Sequence, residues 1–428
     1  MNAEKNAPSG WHLPKAILFR FLFSYLVIYI WPFPWLFIPY SWTVLGPLQG
    51  LFARLTNAVG PLLLGKDYVA STALWASGDT SYRYVQTFVV LMLALICTIV
   101  WSLVDRRRWV YEKLSAGLNV FVRYYLAQAL LLYGFRKIFP LQFQAPTLSR
   151  LTETYGDSSR MGLLWTFMGT SPAYAMFTGI GELLAGTLLL FRRTRLLGAI
   201  LAAIVMTHVF VLNLTYDVPV KLYSFHLLFM SLFLIAPDAQ RLANLFLLNK
   251  PINPEMPGPV SVDRKLGWLR IIAKTGMIYL IFFYPLYSAV KEDEELAHIV
   301  SAHEADNLQG EFEVSCFIVN SDTLPASKNE PRRWKNLRLG GNSMQITYMD
   351  GMSIPWSCSI RNGSKKIKVL SKDLSTTGEF RFEKEGEWLS LHGKLNEDSL
   401  RIVSRYTSAN AFLLYREFHW ISEEPFYH

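Results

Sequence analysis

Cysteine is nearly absent: three occur in 428 residues, Cys97, Cys316 and Cys358. None are spaced as a CxxC pair, which excludes a disulfide-dense scaffold and argues against a cysteine-held zinc or iron–sulfur centre. Charge is scarce as well. Charged residues make up 18% of the chain, whereas soluble domains carry roughly a quarter. With 51% hydrophobic residues, the chain is not disordered. It has no internal repeat and no low-complexity tract. The formal charge of +9 is unevenly shared: residues 310–428 hold 16 Lys+Arg against 15 Asp+Glu, and residues 1–309 hold 26 against 18. No basic helix with interleaved aromatics exists, so the excess is not a nucleic-acid footprint. A basic surplus confined to an apolar region is explained by membrane orientation.

What is abundant is long apolar runs, all before about residue 290. A bilayer core needs about 20 apolar residues per helix. Seven stretches qualify: 16–40, 82–104, 116–138, 172–191, 196–213, 220–236 and 268–289. The first is broken by Pro32 and Pro34. Pro47–Leu64 is amphipathic and interrupted by Pro61, as expected of an interfacial segment. With the N-terminus in the cytoplasm, 16 basic residues fall on inner segments, 9 on outer ones and one, Arg123, inside a span. Lipid bilayers orient helices with the positive loops inside. Seven spans then put the C-terminal domain outside the cytoplasm. The first run carries Arg20 and no small-residue cleavage site, so it is a span and not a cleaved signal.

From Gly310 the pattern changes to alternation. Glu311–Val319 puts Phe312, Val314, Cys316 and Ile318 on one face. Short runs follow at Met344–Met349, Lys366–Leu370, Glu379–Phe382, Trp388–His392, Leu400–Tyr406 and Phe412–Tyr415, punctuated by glycine and asparagine turns. This spacing predicts an antiparallel β sandwich or small barrel. The expected organisation is an N-terminal pair of spans with the interfacial segment (1–113), a four-helix core (114–250), a linker with the last span (251–309) and an outer β domain (310–428). Cys316 and Cys358 face the same β core, as either a bridge or two inert thiols.

Ionisable residues at membrane depth mark sites and pathways. They are Arg123, Glu182, His208 and His226, with Lys137, Asp217 and Lys221 at the outer ends. His208 and His226 lie at matching depth below one outer loop, which leaves two readings open. They form a bis-imidazole haem site or a proton relay to a quinone, or each bonds a nearby helix carbonyl; the latter is favoured over haem. Glu182 sits roughly 15 Å into its helix among small residues, so its carboxyl must be neutral or paired. Lys137, Asp217 and Lys221 are expected to form one positive rim for an anionic ligand, with Tyr133 and Gln142 nearby. The 139–171 loop is long enough for a folded lid, with Asp157 in its exposed part.

Two motifs carry a family resemblance. Tyr133-Gly134-Phe135-Arg136-Lys137-Ile138 resembles the glycine-x-x-lysine signature of DoxX/DoxD membrane proteins. Gly181-Glu182-Leu183-Leu184-Ala185-Gly186 is similar to that family's glutamate-leucine-leucine-glycine-glycine helix, with Ala185 departing from it. The family core would cover Leu114 to Pro237, under a third of the chain. Asp217-Val218-Pro219-Val220-Lys221-Leu222 and Phe418-His419-Trp420-Ile421 resemble longer members with an outer C-terminal domain. The resemblance implies a four-helix core and an association with sulfur-compound oxidation into the quinone pool. It leaves open whether the chain is a quinone-linked oxidoreductase with a redox partner protein, or a non-enzymatic anchor whose β domain binds a protein or lipid.

Overall fold

A computed structural model describes residues 11–35, 40–65, 68, 78–105, 111–146, 150–151, 153, 155–156, 158–251, 267–305, 308, 310–327, 329–340, 343–361, 365–371, 376–407 and 414. Asp157, the Phe418-His419-Trp420-Ile421 motif and most of the expected strand Phe412–Tyr415 lie outside them. The chain forms two compact units, Met1–Gln142 with Ala173–Lys291, and Phe143–Pro172 with Glu292–His428. Most of the helical segments therefore fall in the first unit, and residues 143–172 group with the β domain.

The helices of the first unit are α1 (Leu13–Ile30), α2 (Trp42–Leu64), α3 (Ser81–Val104) and α4 (Glu112–Ile138). After α5 (Arg160–Gly169), in the second unit, come α6 (Pro172–Leu190), α7 (Arg195–Thr215), α8 (Lys221–Ile235), the short α9 (Ala239–Phe246) and α10 (Gly267–Ala305), whose residues from Glu292 onward belong to the second unit. Among the described residues, six helices are long and apolar enough to cross a membrane: α1, α3, α6, α7, α8 continued to Phe246, and Ile271–Ala297 of α10. This is a multi-pass membrane protein. The seventh expected span, α4, has the 27 residues needed but is more polar, with Asn119, Arg123 and Gln128 along it. It also has more buried residues than any other helix, Leu118, Val122, Leu126, Leu130 and Leu131 among them. A helix covered by neighbours meets little lipid, so its sequence need not be apolar all round.

α1 stops at Ile30, ahead of Pro32 and Pro34, which cannot continue a helix. Its other end is locked by Arg20, buried between α1 and α3. That guanidinium donates to the Tyr111 hydroxyl at 2.6 and 3.0 Å, to Ser102 Oγ at 2.9 Å and to the Asp105 carbonyl at 2.9 Å. Each of its three nitrogens meets an acceptor, so a charge that hydropathy would place in lipid is sealed into the helix pair.

The β domain is an eight-stranded antiparallel barrel. Its strands are β1 (Gly310–Val319), β3 (Trp334–Gly340), β4 (Ser343–Tyr348), β5 (Ser353–Arg361), β6 (Lys366–Ser371), β7 (Thr377–Glu385), β8 (Trp388–Leu395) and β9 (Asp398–Thr407), with a two-residue β2 (Asp322–Thr323) appended to β1. Each strand pairs with the next, and β9 closes on β1. Eight strands enclose a space that side chains just fill. Here Trp334, Phe317, Phe380 and Trp356 fill it, with ring centroids 5.4–6.3 Å from Trp334. The interior is a packed core.

The expected inward row Phe312, Val314, Cys316, Ile318 holds only in its first half. A bulge between Val314 and Cys316 in the β1–β9 ladder shifts the alternation. Phe317 turns inward, at 1% exposure, and Cys316 turns partly outward. Neither Cys316 nor Cys358 is disulfide-bonded, which resolves the open choice against a bridge. Burial pushes the Cys358 thiol above its ordinary range. Alkylation of native protein without reductant is thus expected to spare Cys358. In denaturant all three cysteines should label, and a lasting mass deficit of two labels would contradict unbridged thiols.

Candidate functional site

α4 and α6 meet along a seam of glycines. A Cβ on Gly134 would lie 2.8 Å from the Leu183 side chain and 3.0 Å from the Gly179 carbonyl, and one on Gly186 2.9 Å from Leu131. Only residues without a side chain let these backbones approach so closely. Lys137 is three residues beyond Gly134, and Glu182 three beyond Gly179, so each is carried to the same face one turn on. Their side chains form an ion pair, at 8% and 2% exposure. Glu182 Oε2 has no hydrogen-bond partner among the described residues.

Around this pair lie tyrosines from three helices. The Tyr133 ring is 6.1 Å from that of Tyr223 on α8, and Tyr133 is near enough to Glu182 to interact electrostatically. Tyr223 hydrogen-bonds Tyr125 on α4. On α1, Tyr29 stacks on His226, centroids 4.0 Å apart and planes at 9°. Tyr25 Oη is 2.7 Å from His226 Nε2, and His226 Nδ1 lies 2.6 Å from the Leu222 carbonyl. Hydroxyls, an imidazole, a carboxylate and an ammonium thus form one connected polar cluster among α1, α4, α6 and α8. Tyr25, Tyr29, Tyr125, Tyr133 and Tyr223 are half-buried.

The expected sites are rearranged in three ways. First, the two histidines do not share a cavity. His226 is buried but His208 is exposed. The inner face of α7 runs through Gly198, Ala202, Met206 and Asn213, and His208, two residues past Met206, turns to the opposite side. A haem held between them is therefore not built, and the carbonyl bond expected of an ordinary helical histidine is what His226 makes. Second, the Lys137–Asp217–Lys221 rim divides into two pairs. Lys137 belongs to buried Glu182, while Asp217, whose side chain is 79% exposed, pairs with Lys221 at 2.8 Å. The last turn of α4 meets the middle of α6, which carries Lys137 to Glu182. Third, Gln142 keeps its backbone N–H on the Arg136 carbonyl at 3.0 Å, while its side-chain Oε1 is buried without a partner among the described residues.

Asp79, in the turn before α3, was not singled out by sequence. Its carboxylate accepts from the backbone N–H of Lys221 at 2.8 Å and of Leu222 at 3.0 Å, and lies 3.7 Å from Lys221 Nζ. It caps α8 from 142 residues away, a link no local pattern reveals. An N-cap carboxylate satisfies orphan donors and opposes the positive helix end, worth about 0.5–2 kcal/mol. Asp79→Ala is expected to lower stability by about that amount. Asp217→Asn, which removes an exposed pair, should cost about 0–1 kcal/mol. Thermal midpoints of the two variants in one detergent test the order.

Fold and site together define a multi-pass helical membrane protein with a buried Lys–Glu pair in a tyrosine-rich cluster and a C-terminal β-barrel. Over 126 residues the chain is 32% identical to the uncharacterized protein YwoB of Bacillus subtilis (strain 168), covering 29% of this chain and 79% of the relative. The chain belongs to the same family as that protein. No family model and no solved structure matches it.

Proposed function

We propose that the helical unit is a membrane redox component of DoxX type, which binds a quinone-class lipid at the cluster of Lys137, Glu182, Tyr133, Tyr223 and His226. The observation that carries this reading is the convergence of half-buried hydroxyls on a buried carboxylate with one free acceptor oxygen. A quinone presents two carbonyl oxygens on an apolar ring. Tyrosine hydroxyls donate to such oxygens, stacked rings bind its faces, and His226 and Glu182 are groups able to hold the protons that its reduction takes up. Such groups are costly in a membrane interior unless they serve a ligand or a pathway.

The loop charges support an inner-membrane orientation with the N-terminus cytoplasmic and the barrel periplasmic. Reporters fused after Arg108 and after His428 test this; activity of the second in the cytoplasm would overturn it. A second reading, an anchor whose barrel binds a redox partner or other protein, is favoured by an open cleft of about 580 Å³ on the barrel, bordered by Ser357, Lys368, Thr377, Glu379 and Asn396. There the Lys366 ammonium, 2.6 Å from Glu379, holds that carboxyl below its ordinary range.

Titration of a short-chain quinone into protein in lipid nanodiscs, followed by tryptophan fluorescence, distinguishes the two. Saturable binding, weakened about tenfold or more by Tyr133→Phe with Tyr223→Phe, is the expected result. Binding that is non-saturable, or unchanged in the double variant, would reject the quinone reading.

A further inference from the structure

The other end of the α4–α6 seam holds a second unexplained charge. The close neighbours of Gly186 include the Ala127 carbonyl, so the helices run antiparallel with these positions level. One turn further along each, Arg123 of α4 comes level with Leu190, the last residue of α6. The α6–α7 turn that follows carries Arg192 and Arg193, and α7 begins at Arg195.

Arg123 is 8% exposed. Its guanidinium carbon lies 5.0 Å from the Tyr124 ring and the group hydrogen-bonds Tyr124, while its Nε has no hydrogen-bond partner among the described residues. No described carboxylate pairs with it. Its charged neighbours are Arg192 and Arg195, near enough to repel it. Asp238 is committed elsewhere: Oδ2 is 2.7 Å from Arg195 and Oδ1 2.6 Å from Arg241. Three guanidinium groups are thus gathered where, among the described residues, the one carboxylate paired with any of them is already shared. The contrast with Arg20, whose three guanidinium nitrogens all meet protein acceptors, is informative. A buried guanidinium N–H left without an acceptor, as at Arg123 Nε, is costly, and the planar fork of the group matches the oxygens of a phosphate.

The setting also fits a membrane-surface ligand. α9 follows directly after Asp238, and Phe246 and Leu247 at its end are 74% and 81% exposed. Its polar residues Gln240, Arg241 and Asn244 alternate with Leu242, Leu245 and Phe246, the pattern of a helix lying in a lipid interface.

We propose that Arg123, with Arg192 and Arg195, forms an anion site at the α6–α7 end of the helical unit that takes a phosphate group. The site is separate from the Lys137–Glu182 cluster and does not depend on its ligand. Phosphate chemistry is met by an anionic lipid headgroup or by free phosphate, and two arms of one experiment separate them.

In the first arm, protein is delipidated in detergent and titrated with phosphatidylglycerol, and separately with phosphatidylcholine, while native mass spectrometry counts bound lipid. In the second, inorganic phosphate is added to lipid-free protein and the thermal midpoint is followed. Expected for a lipid site is retention of phosphatidylglycerol over phosphatidylcholine, with affinity about tenfold lower in Arg123→Gln. A rise in midpoint with phosphate in the wild type, absent in Arg123→Gln, would assign the same site to a free anion. Arg192→Gln, a change in the partly exposed turn, serves where Arg123→Gln fails to fold; it should lower the same binding several-fold with an unchanged circular dichroism spectrum. Equal retention of both lipids, or equal binding by wild type and Arg192→Gln, together with no phosphate effect on the midpoint, would overturn the site.

Discussion

Lys137→Met is expected to destabilise the helical unit by about 3–5 kcal/mol, because it leaves the Glu182 carboxylate buried without its counter-charge. Both side chains are almost fully enclosed, so water cannot take over the lost contact. Glu182→Met should cost a similar amount by stranding the ammonium. The paired variant Lys137→Met with Glu182→Met should recover most of the loss, since apolar replacement of a whole buried pair is often neutral or stabilising. Equilibrium unfolding in mixed micelles, followed by circular dichroism, measures all three. Near-additive losses in the paired variant would mean that the two residues do not act as a unit. If the pair persists because it serves a ligand rather than the fold, the paired variant should be well folded and lack quinone binding.

Trp334→Ala should have an effect of comparable size in the barrel, about 3–5 kcal/mol. The ring is 1% exposed and touches three others from β1, β5 and β7, so its removal opens a cavity that no single neighbour can close. Trp388→Ala supplies the comparison: its side chain is 46% exposed, and its loss should cost well under half as much. Near-UV circular dichroism during thermal unfolding distinguishes the two. Equal midpoints would mean that the barrel interior is not the packed core described above.

Hydropathy made most of the helices legible, because lipid imposes a length and an apolar composition that few other environments require. The barrel was legible in its alternating strands and glycine turns, apart from two strands. β5 contains Pro355, which ordinarily argues against a strand, and a shift between Trp334 and Asn336 blurs the alternation of β3. Glu182 and His226 stood out as ionisable groups at depth, and Lys137 as one at an outer end. Their partners did not, for three physical reasons. Helix phase decides which way a residue faces, and it turned His208 away from the bundle. Helix stagger decides which turns meet, and it brought Lys137 to Glu182. Tyrosines are ordinary at membrane interfaces, so Tyr29, Tyr125 and Tyr223 drew no attention until the structure brought them around His226 and Glu182.

The most direct test of a ligand site among these tyrosines is the quinone content of the purified protein. Protein isolated from native membranes in mild detergent is extracted with organic solvent, and quinone per chain is counted by mass spectrometry. The same count is made for the Tyr133→Phe, Tyr223→Phe variant. Approaching one quinone per wild-type chain, with a several-fold lower yield from the folded variant, is the result expected of a site built from these hydroxyls. Quinone no higher than in a detergent blank, or equal in both proteins, would contradict it.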